Sequence, residues 1–253
     1  MAIAATPPRA ATSFDETFDV VVVGYGYAGA ISALEAARAG AKVLLIEKSS
    51  VPGGISICSY GAVRSASDPD AAYRYLSTTN AGRTGDDVVR ALATGMTEME
   101  GYVRELAKAN DAEIETTEEY GKAGGNYPLP GFETFYHTTV TRVPNFDAKA
   151  VYPWAIGAPG GPMLFKMVED TMSAHRDNIE IRLETEALRL ISDGAEDDVV
   201  GITVRGPGGQ SRVRARRGVV LASGGFEGSP AMQEQFWEGR PVLPCAAARN
   251  TGD

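Results

Sequence analysis

The sequence predicts an α/β fold in which a Rossmann-like parallel sheet is joined to an antiparallel β-meander, and three observations support it. Residues 19–48 alternate an apolar strand, a glycine turn, a helix and a second apolar strand. Residues 186–215 contain three short strand-like segments separated by polar or Gly-containing turns. Residues 218–222 form another apolar segment that runs directly into a glycine loop. A strand–helix–strand unit implies parallel pairing, whereas consecutive strands joined by tight turns imply antiparallel pairing.

The strand–helix–strand unit begins with residues 20–23, an apolar β-branched run that is typical of a buried strand. Residues 27–38 are rich in Ala and Leu and predict a helix, which Gly40 ends because glycine suits the position after a helix. Residues 42–46 predict a second buried strand. Together these segments predict the crossover that joins two parallel strands.

Gly24, Gly26 and Gly29 stand at G-x-G-x-x-G spacing after the first strand, and Glu47 ends the second strand. Gly24 permits a tight turn, Gly26 lets the backbone approach a pyrophosphate, and Gly29 lets the helix pack close to the strand. The helix N-terminus attracts phosphate, and Glu47 can accept hydrogen bonds from a ribose diol. The pattern predicts a dinucleotide site without distinguishing NAD from FAD. An ordinary Gly-rich crossover without a ligand explains neither the spacing nor the terminal acid.

A second glycine loop, PGGISICSYG at residues 52–61, follows shortly after Glu47. This position lies at the carboxyl end of the strands, where open α/β sheets bind their ligands. Gly53 and Gly54 would let the backbone contact a flat ligand, and Ser56 would add a hydroxyl. A plain Gly-rich turn explains the same pattern equally well.

The sequence next predicts helices at 71–79 and 86–109, with Asp86 as the N-cap of the second and Asn110 as its stop. The apolar residues of the second helix recur at helical spacing and are expected in the core. They are Val88, Val89, Leu92, Met96, Met99, Val103 and Leu106. The acidic run that follows is expected to be a solvated face, and it comprises Glu113, Glu115, Glu118 and Glu119.

Residues 121–159 are rich in Gly, Pro and aromatic residues, and we expect an irregular segment there. Long irregular stretches in compact enzymes are often functional loops or lids. The aromatic side chains could cover a flat ring, although a loop that packs them on its own domain is the simpler interpretation. His137, within this stretch, is likewise interpreted as structural rather than catalytic.

The remainder of the chain predicts a helix at 163–175, opened by Pro162, and then strands and one short helix. The predicted strands are 179–183, 186–191, 199–205, 210–215 and 218–222, and the predicted helix is 230–237. A basic cluster on the strand at 210–215 and just beyond it is expected to be largely a solvated face. Its members are Arg212, Arg214, Arg216 and Arg217.

Composition limits the function classes. The 253 residues are 43% hydrophobic and 23% charged, which suffices for a sizeable core. The net charge of −9 argues against nucleic acid or an anionic membrane as the main partner. No apolar run reaches the length of a membrane span, and residues 1–18, which lack the apolar stretch of a secretory signal, are interpreted as a disordered tail.

The cysteines and histidines also bear on the class of protein. Cys58 and Cys245 are the only cysteines and lie far apart in sequence, so we expect a cytoplasmic enzyme with reduced thiols. His137 and His175 have no cysteine cluster near them. No metal site is therefore expected.

Four ordered motifs resemble the FAD-binding domain of the fumarate reductase and succinate dehydrogenase flavoprotein superfamily, which includes 3-ketosteroid dehydrogenases. They are VVVGYGYAGAISALEAARAGAKVLLIEK, PGGISICSYG, GVVLASGGF and NTGD. The resemblance implies an FAD-binding domain at residues 19–245 and the start of a connection to a capping domain at 246–253. In that superfamily the capping domain carries substrate-binding and proton-donating residues. We therefore expect an N-terminal fragment whose capping domain is missing, and we assign no catalytic residue.

The resemblance also implies which residues contact FAD. The first motif would hold the pyrophosphate and adenosine ribose, the second would lie beside the pyrophosphate and flavin, and Ala187 would touch adenine through its backbone. The third motif would close the adenosine side, and Asp253 of the fourth motif would approach the FAD. The implied residues are Gly24, Gly26, Ala28, Gly29, Glu47, Lys48, Gly53, Gly54, Ser56, Gly61, Ala187, Ala222, Ser223, Gly224, Gly225 and Asp253. Ile55 stands where the superfamily often has Asn or Thr, so a polar contact is expected to be lost or supplied elsewhere.

The activity that the resemblance implies is FAD-dependent oxidoreduction. A hydride would pass between flavin N5 and one carbon of an activated C–C single or double bond in a small-molecule ketone or carboxylate. The redox partner is not assigned. A non-catalytic nucleotide-binding fragment is one alternative, and an NAD-dependent dehydrogenase is another, although the latter gives no reason for the second and fourth motifs.

Overall fold

The computed structural model describes residues 13–117, 127–155, 159–193, 198–239, 242–243 and 250–252. The chain divides into two compact units. The first unit comprises residues 1–52, 175–241 and 249–253, and the second comprises residues 53–174 and 242–248. Residues 19–245, which the sequence predicts as one domain, therefore contribute to both units.

The described residues form both helices and strands. In chain order they are β1 (Glu16–Val23), α1 (Tyr27–Arg38), β2 (Val43–Ile46), β3 (Ala62–Ala66), α2 (Pro69–Asn80), α3 (Asp86–Ala109), β4 (Glu113–Thr117), β5 (Phe135–Arg142), α4 (Ala148–Val151), α5 (Gly160–Ser173), β6 (Ile179–Arg182), β7 (Glu186–Ser192), β8 (Val199–Gly206), β9 (Gly209–Leu221) and α6 (Pro230–Phe236). None of the helices in these ranges combines the length and the apolar character that a membrane span requires.

The first unit is built on a sheet with the strand order β6–β2–β1–β9–β8–β7. The strands β6, β2, β1 and β9 are parallel. The strands β7, β8 and β9 form an antiparallel meander. The predicted fold class, a parallel sheet with an added meander, is confirmed.

One hydrophobic cluster lies on a single face of this sheet, because successive strand residues point to opposite faces. Its buried members are Val21, Val23, Leu44, Ile46, Ile202, Val204, Val213 and Ala215. The helix α1 packs against β1 and β2 through a mostly small-residue face. That face consists of Gly29, Ala30, Ala33, Leu34 and Ala37.

The strands β1 and β9 are both longer than the sequence predicts. Residues 16–18 belong to β1 rather than to a disordered tail, because they pair with residues 213–215 of β9. A register shift between Phe18 and Val20 marks where the second half of the pairing begins. The segments expected as two strands, 210–215 and 218–222, form the single strand β9 because both halves pair with β1.

The second unit contains an antiparallel sheet of order β3–β5–β4 together with the helices α2, α3, α4 and α5. The expectation of an irregular segment over 121–159 is wrong in its middle, where β5 forms the central strand of this sheet. Aromatic and β-branched residues dominate β5, and Phe135 and Val140 are buried. Tyr127 and Trp154, in contrast, are exposed. Residues 118–126, which include Glu118 and Glu119, lie outside the described residues, whereas Glu113 and Glu115 are exposed on β4 as expected.

The helix α3 has the predicted bounds, with Asn110 at its C-cap, although its N-cap is Gly85 rather than Asp86. Val89, Val103 and Leu106 are buried as expected. The expectation that Val88 and Leu92 also belong to the core is wrong, since each is 54% exposed. These two residues lie four apart on a face turned away from the buried one, and the small Ala93 takes the inward position instead.

Candidate functional site

The glycine turn of the first unit lies at the carboxyl ends of three parallel strands. The Gly24 N–H donates to the carbonyl oxygen of Ile46 on β2 at 2.8 Å, and the Ala222 N–H donates to that of Val23 on β1 at 2.8 Å. Gly24 has φ +100°, and a Cβ there would stand 2.4 Å from the Ala222 carbonyl oxygen. Only glycine therefore fits this turn, as its place in the motif predicts.

The helix α1 begins directly on this turn. Gly26 is its N-cap residue and makes no side-chain cap, and the first turn contains no acidic residue. A Cβ on Gly29 would lie 1.8 Å from the Gly24 carbonyl oxygen, so the absence of a side chain is what lets the helix approach the turn. Ala28, in the first turn, is small and exposed. An N-terminus with this geometry fits a phosphate group, because its N–H groups and dipole favour an anion.

The Glu47 carboxylate holds the turn and the following loop together. Its Oε2 accepts a hydrogen bond from the Tyr25 N–H at 3.0 Å, and its Oε1 accepts one from the Ser49 N–H at 2.8 Å. The Glu47 backbone is fixed as well, since its N–H donates to the Arg182 carbonyl oxygen at 2.9 Å. Each carboxylate oxygen has a further lone pair, so a diol hydroxyl can still bind this group.

Lys48 connects this edge of the sheet with the fourth motif. Its Nζ donates to Thr251 Oγ1 at 2.8 Å, across 203 residues of sequence. The two residues line an open depression of about 730 Å³. The other residues around it are Ser49, Ser50, Glu184, Glu186, Arg205, Gly206 and Pro207.

The loop after β9 and the fourth motif lie against each other. Ser223, Gly224 and Gly225 are exposed, and Ala222 is half-buried. The Asn250 carbonyl oxygen accepts a hydrogen bond from the Gly228 N–H at 2.7 Å. The Asn250 side chain donates through Nδ2 to Glu227 Oε1 at 2.8 Å. The third and fourth motifs are thus neighbours in the first unit.

Gly252 completes this packing. It has φ +80°, and a Cβ there would stand 2.2 Å from Met232 Sδ and 2.8 Å from Phe226 Cβ. Asp253 lies outside the described residues, so its predicted role stays a prediction.

Ala187 lies near the start of β7, the outermost strand of the meander among the described residues. It pairs with Val204, and a register shift separates this pair from that of Arg189 with Thr203. The half-buried Ala187 side chain packs on the core cluster. Backbone groups along the outer edge of such a strand are open to a ligand, which fits the predicted backbone contact.

Gly53, Gly54, Ser56 and Gly61 belong to the second unit. All three glycines have positive φ. A Cβ on Gly53 would meet the Ile57 side chain at 2.5 Å, and one on Gly61 would lie 2.1 Å from the Gly160 carbonyl carbon. Chain packing therefore explains Gly53 and Gly61, whereas a Cβ on Gly54 would meet nothing within 4 Å. Ser56 begins a short 3₁₀ turn and is half-buried.

His137 lies on β5 of the second unit and is half-buried. Burial, with a smaller contribution from the Arg64 charge, lowers the pKa of His137 below its usual range. The imidazole is therefore neutral at neutral pH, in agreement with a structural role. Among the described residues, no group of His, Cys, Asp and Glu side chains is arranged to hold a metal ion.

Three residues of the first unit take part in the site although sequence reasoning assigned them no role: Tyr25, Ser49 and Thr251. Tyr25 and Ser49 contribute through their backbone N–H groups, and a backbone group leaves no signal in the identity of its residue. Thr251 had a signal, because it stands within the NTGD motif. Its link to Lys48 could not be inferred, since nothing in the sequence relates the two positions.

Comparisons with known proteins agree with this geometry. A family model described as FAD binding domain matches residues 19–253. The 4-oxocyclohexanecarboxylate 2-dehydrogenase of Sinomonas cyclohexanicum is 25% identical over 94% of this chain and 48% of its own length. The chain thus spans about half the length of the curated relatives it matches.

Two solved structures share the fold. The 3-ketosteroid Δ1-dehydrogenase of Sterolibacterium denitrificans matches with a TM-score of 0.75 and 24% identity over 94% of this chain and 53% of that one. A flavocytochrome c3 fumarate reductase in an open conformation matches with a TM-score of 0.67 and 22% identity over 88% of this chain and 36% of that one.

Proposed function

This chain belongs to the FAD binding domain family, and from that premise we propose that its first unit binds the adenosine diphosphate part of FAD. The observation that carries the proposal is the close packing of Gly29 on Gly24 at the start of α1, with the Glu47 carboxylate beside the same turn. Phosphate oxygens would receive hydrogen bonds from the exposed start of α1. A side chain at either glycine would fill the space that the turn needs.

The adenosine ribose would lie at Glu47. This carboxylate is already oriented by the Tyr25 and Ser49 N–H groups, so binding a diol costs it little conformational entropy. The adenine would lie along the edge of β7, where Ala187 offers backbone groups. Gly26, Ala28 and residues 222–225 would complete the contacts with Lys48 nearby, and Asp253 would approach the cofactor.

Gly53, Gly54, Ser56 and Gly61 are proposed to contact the pyrophosphate and flavin. Gly54 supports this role best, because its backbone has a positive φ and its surroundings give no packing reason for a glycine. Substitution of Gly53 or Gly61 would disturb the fold as well as any cofactor contact. Gly54 is therefore the position at which a substitution tests cofactor binding with the least disturbance of packing, although the positive φ still strains alanine there.

The whole protein is proposed to be an FAD-dependent oxidoreductase that acts on CH–CH groups. FAD, when bound, supplies the hydride acceptor or donor at flavin N5. The substrate would be a small molecule with a C–C single or double bond activated by a ketone or a carboxylate. The similarity to a dehydrogenase of 4-oxocyclohexanecarboxylate supports this class, since that substrate carries both groups.

Loading the purified chain with FAD tests the cofactor proposal. We expect the yellow flavin absorbance to elute with the protein and excess ADP to displace the cofactor. A Gly54→Ala variant should lose about 1 kcal/mol of stability, because alanine is strained at this positive φ, and should bind FAD more weakly. A chain that folds cooperatively and does not retain FAD, or that binds NADH in its place, would contradict the proposal.

Activity requires a separate experiment. The whole protein, loaded with FAD, would be mixed with an artificial electron acceptor and with 4-oxocyclohexanecarboxylate, a 3-ketosteroid or succinate. We expect acceptor reduction with a ketone or carboxylate that has hydrogens on adjacent carbons. FAD binding without turnover of any of them would instead favour a non-catalytic nucleotide-binding role for this chain.

A further inference from the structure

The Lys48–Thr251 hydrogen bond joins two parts of the first unit that the sequence keeps far apart. Lys48 follows the ribose-binding candidate Glu47 directly, and Thr251 lies in the NTGD motif. We propose that Lys48 is a positioning residue whose ammonium group holds residues 250–252 at the adenosine side of the cofactor site. This inference rests on the proposed function, because the site in question is the one proposed for FAD.

The segment 250–252 also makes contacts at its two ends. Asn250 is tied to the loop after β9 through the Gly228 N–H and the Glu227 carboxylate. Gly252 lies in contact distance of Met232 and Phe226, with a positive φ that only glycine adopts easily. Thr251, between them, is exposed and is bound to Lys48. The lysine thus links the β9 loop and α6 with the end of β2.

The geometry of the depression supports a positioning role. Lys48 and Thr251 both line it, together with Ser49 and Ser50, which follow the ribose-binding candidate. A charged donor forms stronger hydrogen bonds than a neutral one, so one lysine can order an otherwise exposed segment. If residues 250–252 move away, the depression loses one wall and the cofactor loses the contacts proposed for that side.

A double-mutant cycle tests the inference. The variants are Lys48→Met, Thr251→Val and the two combined, and the FAD dissociation constant is measured by flavin fluorescence for each full-length chain. We expect each single substitution to weaken FAD binding by about fivefold to tenfold. The combined variant should bind FAD no more weakly than the single variant with the lower FAD affinity, because both substitutions remove the same hydrogen bond.

Two further variants complete the design. Thr251→Ser keeps the hydroxyl and should bind FAD as the wild type does. Lys108→Met removes an exposed lysine from the last turn of α3, in the second unit, and should leave FAD binding unchanged. Chemical denaturation of every variant shows whether the chain remains folded.

A second measurement does not depend on the cofactor. The Gly228 N–H donates to Asn250, so release of the segment should expose this amide. In the FAD-free protein, we expect Lys48→Met and Thr251→Val to speed hydrogen exchange at Gly228 several-fold, and Thr251→Ser to leave the rate unchanged.

The outcomes separate this inference from the proposed function. A wild-type chain that binds no FAD overturns the proposed function, while the exchange experiment still tests the link between the two residues. The positioning role would be overturned if the losses of FAD affinity from the two single substitutions multiply in the combined variant. It would also be overturned if Lys48→Met weakens FAD binding and Thr251→Val does not. Either result would show that Lys48 acts directly on the cofactor. Unchanged exchange at Gly228 would overturn it as well.

Discussion

The backbone N–H of Tyr25 donates to Oε2 of Glu47 at 3.0 Å, which joins the glycine turn after β1 to the residue that ends β2. The second carboxylate oxygen accepts from the Ser49 N–H. Glu47 is therefore both a structural acceptor for two turns and the proposed ribose ligand. Substitution of Glu47 should therefore affect both stability and FAD binding.

We predict that Glu47→Ala destabilises the protein and weakens FAD binding together. The substitution leaves two part-buried N–H groups without their acceptor, which costs about 1–3 kcal/mol in the free energy of unfolding. Urea denaturation and FAD titration measure the two effects. Glu35→Ala, which removes an exposed carboxylate from α1, serves as the control and should change neither quantity appreciably.

Gly29→Ala and Gly95→Ala should have opposite effects on stability. A methyl group on Gly29 would overlap the Gly24 carbonyl oxygen, so α1 must move and we expect a loss of about 2 kcal/mol or more. Gly95 lies in the interior of α3 with nothing near its Cβ position, so alanine should stabilise by about 0.5–1 kcal/mol. The denaturant midpoints of unfolding of the two variants test this prediction. Equal shifts of the two midpoints from the wild-type value would contradict the close contact at Gly29.

Asp19 should contribute to the loss of stability in acid. Its Oδ2 accepts from the Lys42 N–H at 2.9 Å. This hydrogen bond, aided by Arg216, lowers the pKa of the carboxyl group. Because the folded-state pKa lies below the unfolded value of about 3.9, the stabilisation is complete above that value and is lost as the pH falls through the folded-state pKa.

The Asp19→Asn variant measures this contribution. We expect the variant to be less stable than the wild type at neutral pH, with the difference narrowing as the pH falls below about 4. Unfolding free energies at a series of pH values test the sign. A difference that grows towards acid would show that the carboxylate does not have the lowered pKa.

Tyr136 should contribute to stability in the opposite pH range. Its hydroxyl donates to Glu100 Oε2 at 2.8 Å. Burial, together with the Glu100 carboxylate, raises the pKa of Tyr136 to about 12. The folded state therefore holds this proton more tightly, and the stabilisation is lost as the pH rises from about 10 towards 12.

Titration of phenolate absorbance should show a component of the folded protein that ionises late, and the contribution of Tyr136 to it should disappear in Tyr136→Phe. The variant should also be less stable at neutral pH, by about 1–2 kcal/mol, because the Glu100 carboxylate loses a part-buried donor. An unchanged titration curve would contradict the assignment to Tyr136.

Local patterns in the sequence sufficed for most of the first unit. The helix at Tyr27–Arg38 and the glycines before it were predictable because their interactions lie within one strand–helix–strand segment. The close approach of the helix was predictable from Gly29, since the turn and the helix start are only a few residues apart. The meander was predictable for the same reason, because its strands are joined by short turns.

The second unit was predicted less well. The strand β5 was interpreted as part of an irregular loop because glycine and proline surround it, and its partners β3 and β4 are not its close neighbours in sequence. Val88 and Leu92 follow the helical period and are nevertheless exposed. The period shows that a helix has an apolar stripe, but it does not show where the covering surface ends.

The sequence by itself thus determined the fold class, the glycine turn and the identity of the acid that ends β2, because each depends on residues close together along the chain. Only the tertiary structure decided that β9 is one strand, that Tyr25 orients Glu47 and that Lys48 contacts Thr251. The physical reason is the same for all three. Each depends on contacts between segments that lie far apart along the chain, and no local pattern encodes such contacts.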